Sequence, residues 1–317
     1  MIIRTPLLAA VAAMLLCTAA PAAQAAEHLP GAIEIPCAAG VLDQVADWYL
    51  PTGTPRALIW LQHGFARSSA QLADLATDFA EHGYLVFAPT LPFLDLSGCT
   101  LQNLGDNTGF LAHVADLFAT AGDPAGALTI SLAAAAARAG HETPSLPADL
   151  VFLGHSAGAE AVAFVADQLR TRSPGTWARL HGIVLFDPVK SFLGDNTDRA
   201  LAGIDTTTLP ALTISAPPSL CNNFGTGTDA VQTRLHRPFV GVRLPHGAHT
   251  DAEGTSSDLL GETLCGHPRS TDVTTLHTLA LAWTADFLDG TTTPAYYPTT
   301  PGGPVPAAPT AITLSGS

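Results

Sequence analysis

The sequence predicts a single domain of the α/β class, built on a doubly wound and mostly parallel sheet. Short, almost continuous apolar runs of strand length alternate with amphipathic segments of helical length, which is typical of parallel strands connected by helices. No polar linker interrupts this alternation over about 260 residues, so one domain is favoured over two. The 317 residues are 47% hydrophobic and 13% charged, a composition that can bury a large core.

The elements of this sheet can be assigned in chain order. Two antiparallel entry strands are predicted at 32–36 and 45–50. The apolar runs then predict buried strands at 57–61, 84–88, 150–153, 183–186 and 211–214, followed by a last strand at 239–243. Amphipathic spacing predicts helices at 69–81, 109–119, 157–170 and 276–288. A further, alanine-rich helix at 127–139 is interpreted as a surface helix rather than part of a lid.

The two ends of the chain are predicted to lie outside the domain, which spans 26–289. Residues 1–25 have the pattern of a secretory signal peptide, with Arg4, an apolar run and an Ala-Gln-Ala cleavage site at 23–25. The run is too short for a membrane anchor. Residues 290–317 are rich in Pro, Thr and Gly without apolar periodicity, which predicts a disordered, dispensable tail. We therefore expect a secreted protein, extracellular or periplasmic, without stable membrane insertion.

The charge balance excludes one class of partner. The chain has 27 acidic and 13 basic residues, a formal net charge of −14, and no basic stripe. Because contacts to phosphate groups need clustered Lys and Arg, no nucleic-acid partner is expected. The sequence indicates no particular oligomeric state.

Cysteine usage agrees with export. Without the leader four cysteines remain, and an even number in an exported chain predicts two disulfides. We expect Cys37–Cys99, which ties the N-terminal strand to a loop after an early strand, and Cys221–Cys265, which ties two late loops. A zinc site is disfavoured because the chain has no C-x-x-C pair.

A candidate nucleophile lies between a predicted strand and a predicted helix. Residues 154–158 read Gly-His-Ser-Ala-Gly, a G-x-S-x-G motif in the strand–turn–helix context that the motif requires. The sharp turn would expose the Ser156 hydroxyl at the sheet edge, and the Ala157 N–H would point at a developing oxyanion. The alternative is a chance match on an ordinary buried serine, which the placement disfavours.

The loop after the 57–61 strand is the candidate for a second oxyanion donor. It reads His63-Gly64-Phe65, and the Phe65 N–H follows a glycine that permits an unusual turn. The Phe65 ring would then form one wall of an acyl site. Alternatively, His63 and Gly64 only mark the end of a strand.

These motifs resemble a known family. His63-Gly64-Phe65, with the stretch at 82–89, resembles the secreted polyester-hydrolase, cutinase-like and chlorophyllase-type branch of the α/β-hydrolase superfamily. The stretches at 182–189 and 247–251 resemble the chlorophyllase-type members in particular. The resemblance covers most of the mature chain and implies an α/β-hydrolase fold and a serine-dependent carboxylic ester hydrolase without a cofactor. The chain departs from the branch at 157–159, which lacks a double glycine, and at Pro188, which replaces an aromatic platform.

The base and the acid are assigned by position. In this fold the order along the chain is Ser, then Asp or Glu, then His. His246 and His249 both follow the last strand, and His249 is favoured because small residues flank it and it matches the family motif. Asp187, directly after the 183–186 strand, is the predicted acid, since no carboxylate follows the 211–214 strand until Asp229. Its alternative role is to cap a turn before Pro188.

A metal site is the alternative for the same loop. His246, His249 and Asp251 are ligand-type residues at close spacing, as a zinc hydrolase would use. The segment is predicted as a loop, where this spacing does not fix one face, and a metal would leave Ser156 unexplained. We expect no metal.

The sequence thus predicts a secreted serine carboxylic ester hydrolase of the esterase or lipase type, with a Ser156–Asp187–His249 triad and an acyl-enzyme. Its substrate would be a small-molecule or polymeric ester, and small or medium acyl esters are favoured over polyesters. Alternatives with the same triad are polyester hydrolysis, acyl transfer and amide hydrolysis. A non-catalytic binding module with the hydrolase fold is the alternative from a different class.

Overall fold

A computed structural model describes residues 26–317, so the predicted signal peptide at 1–25 lies outside the described residues. The described chain forms a ten-stranded sheet. Its strands are β1 (Glu27–Leu29), β2 (Ala32–Cys37), β3 (Gly40–Leu50), β4 (Leu58–Gln62), β5 (Leu85–Pro89), β6 (Leu150–His155), β7 (Leu180–Phe186), β8 (Ala211–Ser215), β9 (Gly241–Arg243) and β10 (Ile312–Leu314).

The helices connect these strands in alternation, as the sequence predicts. They are α1 (Ala73–Glu81), α2 (Thr108–Ala119), α3 (Ala127–Ala139), α4 (Ala157–Arg172), α5 (Pro174–Trp177), α6 (Asn196–Asp205), α7 (Thr226–Arg234), α8 (Leu259–Cys265) and α9 (Ser270–Asp289). Short 3₁₀ segments lie at Ser69–Leu72, Asn223–Gly225, His249–Ser256 and Pro294–Tyr296. No helix in residues 26–317 is both long and apolar enough to cross a membrane.

The order of the strands reverses at β4. Across the sheet the order is β1-β3-β5-β4-β6-β7-β8-β9-β10, and β2 pairs with β3. The strands from β5 to β9 in this order run parallel, whereas β1, β2, β3 and β10 are added antiparallel. The next two strands along the chain flank β4 on opposite sides. The crevice at the carboxyl ends of β4 and β6 is therefore where a ligand site is expected in an open α/β sheet.

Two apolar cores cover the two faces of the sheet. Along β4, Leu58 and Trp60 contribute to one core, and Ile59 and Leu61 contribute to the other, as the alternation of a strand requires. The first core is completed by α2, α3, α4 and α6, and the second by α1 and α9. Helices on both faces of a mostly parallel sheet confirm the predicted doubly wound architecture.

The alanine-rich helix predicted at 127–139 is α3. Its buried residues include Leu128 and Leu132, and it packs mainly against β2. The Ser131 hydroxyl accepts a hydrogen bond of 3.0 Å from the Trp48 indole on β3. Because α3 is packed on the strands at one end of the sheet, it is part of the body of the domain.

Residues 290–317 do not form the disordered tail that their composition predicts. The segment folds back on the domain, and β10 pairs antiparallel with β9, with Thr313 opposite Val242. Val305 and Leu314 are buried, and the Trp283 indole donates to the Tyr296 carbonyl at 2.9 Å. The apolar residues are few, but they are placed to extend the sheet past β9, which composition alone does not reveal.

The structure contains both predicted disulfides. Cys37–Cys99 joins the end of β2 to the loop after β5, with the Cα atoms 5.8 Å apart. Cys221–Cys265 joins the loop after β8 to the end of α8, with the Cα atoms 5.5 Å apart. Both bonds therefore fasten segments at the carboxyl edge of the sheet.

Candidate active site

Ser156 occupies a strained turn between β6 and α4. Its φ of 57° and ψ of −124° are values that residues other than glycine rarely adopt. The Ser156 N–H donates to the Phe186 carbonyl at 3.0 Å, and its own carbonyl accepts from the Val189 N–H at 3.1 Å. Because β7 and the loop after it hold both sides of the peptide, the turn keeps its strained conformation.

The two glycines of the motif are required by close backbone contacts. A Cβ atom on Gly154 would lie 2.5 Å from the Gly158 carbonyl oxygen, and one on Gly158 would lie 2.4 Å from the His63 carbonyl oxygen. Any side chain at either position would therefore push β6, β4 and α4 apart. The spacing of the motif follows from this packing.

The loop after β4 lies directly against the serine. A Cβ atom on Gly64 would come within 2.5 Å of the Ser156 Cβ and 3.0 Å of its Oγ. Phe65 follows at once and is 45% exposed, with its ring centroid 5.2 Å from that of Phe93. In residues 26–317, neither the Phe65 nor the Ala157 N–H donates a hydrogen bond to another protein group, so both remain available beside Ser156.

His249 and Asp187 form a buried pair. His249 begins the 3₁₀ segment after β9, and its Nδ1 lies 2.5 Å from Asp187 Oδ2. A carboxylate can only accept here, so the proton of the neutral imidazole is assigned to Nδ1 and the lone pair to Nε2. Both His249 and Ser156 line one cavity. The structure therefore brings the three predicted triad residues to one site.

Asp187 is held by two further donors that the sequence analysis did not single out. Its Oδ1 accepts the Ala216 N–H at 2.9 Å, and the Asn222 side-chain amide lies 3.2 Å from both carboxylate oxygens. The alternative acid, Asp229, lies exposed on α7. No spacing in the sequence indicates that Asn222 donates to Asp187, because this contact depends on how the loop after β8 folds.

His155 holds the backbone at His249. Its Nε2 lies 2.8 Å from the His249 carbonyl oxygen, so this nitrogen carries the proton and donates. Complete burial lowers the pKa of His155 to about 4. The ring therefore stays neutral, and His155 has a structural function behind the site.

Asp251 closes the turn that carries His249. Its Oδ2 accepts the Ala248 N–H at 2.8 Å, and burial raises its pKa to about 7. Asp251 is thus engaged with the backbone, and the structure does not bring it, His246 and His249 together as ligands. Within residues 26–317, no group of three or more His, Cys, Asp and Glu residues could hold a metal ion.

A buried ion pair connects the two loops that flank Ser156. Arg67, on the loop with Phe65, contacts Glu253, on the segment with His249, through Nε–Oε1 at 2.7 Å and Nη2–Oε2 at 2.5 Å. A second, more exposed contact joins Arg67 to Asp258 at 3.1 Å. No spacing in the sequence pairs residues 67 and 253, so sequence reasoning had no signal for this contact.

The cavity above Ser156 has a volume of about 370 Å³ and a mostly apolar wall. Ser156, His155 and His249 are among the polar residues that line it. The Cys221–Cys265 disulfide forms part of one wall. The apolar lining is provided by Phe65, Val189, Phe192, Leu220, Leu260 and Leu264.

Comparisons with solved structures identify the fold. A dienelactone hydrolase from Anabaena variabilis matches with a TM-score of 0.52 and 14% identity, over 81% of this chain and 97% of that chain. The fungal esterases from Rhizomucor miehei match with a TM-score of 0.53 and 10% identity, over 84% and 86%. These similarities confirm the predicted α/β-hydrolase fold. No protein-family model and no curated protein sequence matches the chain.

Proposed function

We propose that this protein is a secreted serine hydrolase of carboxylic esters. The observation that carries the proposal is the buried contact between His249 Nδ1 and Asp187 Oδ2, formed in the same cavity as a serine on a strained strand-to-helix turn. This combination of groups is what nucleophilic acyl chemistry requires. The predicted leader and the two disulfides support export.

The proposed reaction has two halves. First, His249 Nε2 takes the proton from the Ser156 hydroxyl while Oγ attacks the ester carbonyl carbon. The tetrahedral oxyanion accepts hydrogen bonds from the Phe65 and Ala157 N–H groups. The alcohol then leaves with the proton from His249, and the acyl group remains bound to Ser156.

Water completes the reaction. His249 removes a proton from a water molecule, whose oxygen attacks the acyl-enzyme carbonyl. The second tetrahedral intermediate breaks down to release the carboxylic acid, and the proton returns to Ser156 Oγ. Throughout, Asp187 fixes the orientation of the imidazole and stabilises its cationic form.

The cavity indicates esters with small or medium acyl groups. About 370 Å³ lined mainly by apolar side chains suits an acyl chain better than a charged or strongly polar substituent. The names of the two structural neighbours, a dienelactone hydrolase and esterases, support hydrolysis at an ester carbonyl. The resemblance to the chlorophyllase-type and cutinase-like branch supports the same chemistry.

A panel of nitrophenyl esters of increasing acyl length tests this proposal. We expect hydrolysis by the native protein, with kcat/KM highest for short and medium chains, and loss of turnover on the order of 10⁶-fold in Ser156→Ala. Ser191→Ala, a change at another buried serine, controls for folding defects. Equal activity of the native protein and Ser156→Ala would contradict the proposal.

A further inference from the structure

His63 is completely buried in the loop that carries Phe65. It directly follows β4 and precedes Gly64, and it is 0% exposed. The proposed reaction uses His249 as the base and gives His63 no step. Because an imidazole is polar, its burial in a core requires a compensating contact.

The His63 ring contacts the backbone of the next residue. Its Nδ1 lies 2.8 Å from the Gly64 carbonyl oxygen. Because a carbonyl oxygen can only accept, the proton of the imidazole is assigned to Nδ1, which donates. Burial, assisted by the nearby Arg67 cation, lowers the pKa of His63 to about 4. The ring is therefore neutral near pH 7 and carries a lone pair on Nε2.

The lone pair on Nε2 of His63 lacks a donor. Within residues 26–317, this atom is buried and forms no hydrogen bond. The Leu91 carbonyl lies near the ring, but a carbonyl cannot donate to it. A buried acceptor without a donor destabilises the folded state, and an apolar side chain of similar size would avoid this loss. Packing alone therefore does not explain an imidazole here, whereas the hydrogen bond from Nδ1 does.

This hydrogen bond fixes the peptide group that supplies one of the proposed oxyanion donors. The Gly64 carbonyl and the Phe65 N–H belong to one planar trans peptide, so they point in opposite directions. With the carbonyl held by His63, the N–H points away from the buried ring. Gly64 itself lies against the nucleophile, since a Cβ atom there would come within 3.0 Å of Ser156 Oγ.

The His63 ring is the only group that holds this peptide by a hydrogen bond in the described part of the chain. The Phe65 N–H has no protein acceptor in residues 26–317, and the Gly64 carbonyl accepts from no backbone N–H there. Glycine at position 64 permits many backbone conformations. Without the imidazole, the peptide could therefore rotate and turn the Phe65 N–H away from the site.

We propose that His63 is a positioning residue for the oxyanion site, because its Nδ1–H holds the Gly64 carbonyl and thereby directs the Phe65 N–H towards the oxyanion. The proposal rests on the proposed ester hydrolysis. Since the contact exists before substrate binds, the donor is oriented in advance and does not have to reorganise during the reaction. His63 acts through the Gly64–Phe65 peptide and takes no part in proton transfer.

Two substitutions at this position test the proposal. His63→Asn places an amide nitrogen where Nδ1 lies and can keep the hydrogen bond to the Gly64 carbonyl, whereas His63→Leu has a similar shape and no donor. Labelling to completion with a fluorophosphonate first counts the active chains of each protein. The values of kcat and KM for a soluble nitrophenyl ester are then measured, together with the inhibition constant of a trifluoromethyl ketone, whose adduct with Ser156 carries an oxyanion.

We expect His63→Leu to lower kcat per active chain by about 10- to 100-fold, because the oxyanion loses a well-placed donor. KM should stay within about threefold of the native value, since the bound ester carries no oxyanion. The ketone should bind more weakly by the same factor as the loss in kcat. His63→Asn should recover most of both losses. A purely structural role would reduce the number of active chains and leave these constants unchanged.

Three results would overturn the proposal: native constants in His63→Leu, equal losses in His63→Leu and His63→Asn, or a rise in KM alone. If His63→Leu does not fold, His63→Gln replaces it, because its amide reaches the position of Nε2 instead of Nδ1, and the same losses are expected. A native protein that neither hydrolyses the ester nor reacts with the fluorophosphonate would instead overturn the proposed function.

Discussion

The Asn222 side-chain amide lies 3.2 Å from each carboxylate oxygen of Asp187. Asn222 is itself fixed, because its Oδ1 accepts the Ser219 N–H at 2.7 Å and the Gly225 N–H at 3.0 Å. The loop after β8 thus orients the carboxylate that contacts His249. The acid of the proposed triad follows β7, but its orientation is fixed by a loop that follows the neighbouring strand β8.

Asn222→Ala should therefore reduce activity without abolishing it. Loss of a hydrogen bond to a charged group predicts a decrease in kcat of about 10- to 100-fold, with the Asp187–His249 contact weakened. Asn196→Ala removes another buried asparagine, remote from His249, and should affect stability alone. An unchanged kcat in Asn222→Ala would show that the Ala216 N–H suffices to hold the carboxylate.

The choice of acid is tested by two matched substitutions. Asp187→Asn should lower kcat by roughly 10⁴-fold, because an amide does not fix the required tautomer of His249. Asp229→Asn, on the exposed surface of α7, should have little effect. If steady-state kinetics gave the opposite ranking, the acid would have to be reassigned to the segment after β8.

The Arg67–Glu253 contact should matter for stability and for activity. Removal of one partner from a buried ion pair is expected to cost about 3–5 kcal/mol, so Arg67→Met should lower the unfolding free energy and loosen the loops with Phe65 and His249. Arg56 pairs with Asp289 at the surface, where both side chains are about half exposed. Arg56→Met should change stability by less than about 1 kcal/mol. Urea unfolding compares the two variants, and equal midpoints would contradict a special function for Arg67.

Substitutions at two alternate residues of β10 test whether the C-terminal segment is packed on the domain. Leu314 is 3% exposed and Ile312 is 51% exposed. Leu314→Ala should cost about 2–4 kcal/mol through lost burial and a cavity, whereas Ile312→Ala should cost less than about 0.5 kcal/mol. Equal melting temperatures for the two variants would mean that β10 does not dock in solution.

Asp251 should make stability depend on pH in a direction opposite to that of most carboxylates. Burial raises its pKa to about 7, against about 3.9 in the unfolded chain. Between these values the folded state binds the extra proton, so the contribution of Asp251 to stability is full below about pH 4 and is lost as the pH rises towards 7. Asp251→Asn keeps an acceptor for the Ala248 N–H and should remove this loss. The measurement is the difference in melting temperature between the two proteins from pH 4 to 7, and a constant difference would contradict the assignment.

Local patterns predicted the strands β2 to β9 and singled out Ser156, Asp187 and His249, whereas β1 and β10 were not predicted. Each of these residues follows an apolar strand, and the carboxyl ends of parallel strands meet at one edge, so strand order alone brings them together. The Arg67–Glu253 contact and the support of Asp187 by Asn222 depend on how separate loops pack on each other. Hydrophobic periodicity in the sequence does not indicate such contacts. The C-terminal segment was wrongly predicted because its few apolar residues are made effective by pairing with β9, a tertiary contact that composition does not indicate.

Treatment of the folded protein with a fluorophosphonate probe, followed by mapping of the modified peptide by mass spectrometry, tests whether Ser156 is a nucleophile activated by His249 and Asp187. We predict one phosphonyl group per chain, attached to Ser156, with loss of ester hydrolysis in proportion to labelling and slower labelling in Asp187→Asn. Absence of labelling in the folded protein, or attachment to a different residue, would show that Ser156 is not the activated nucleophile.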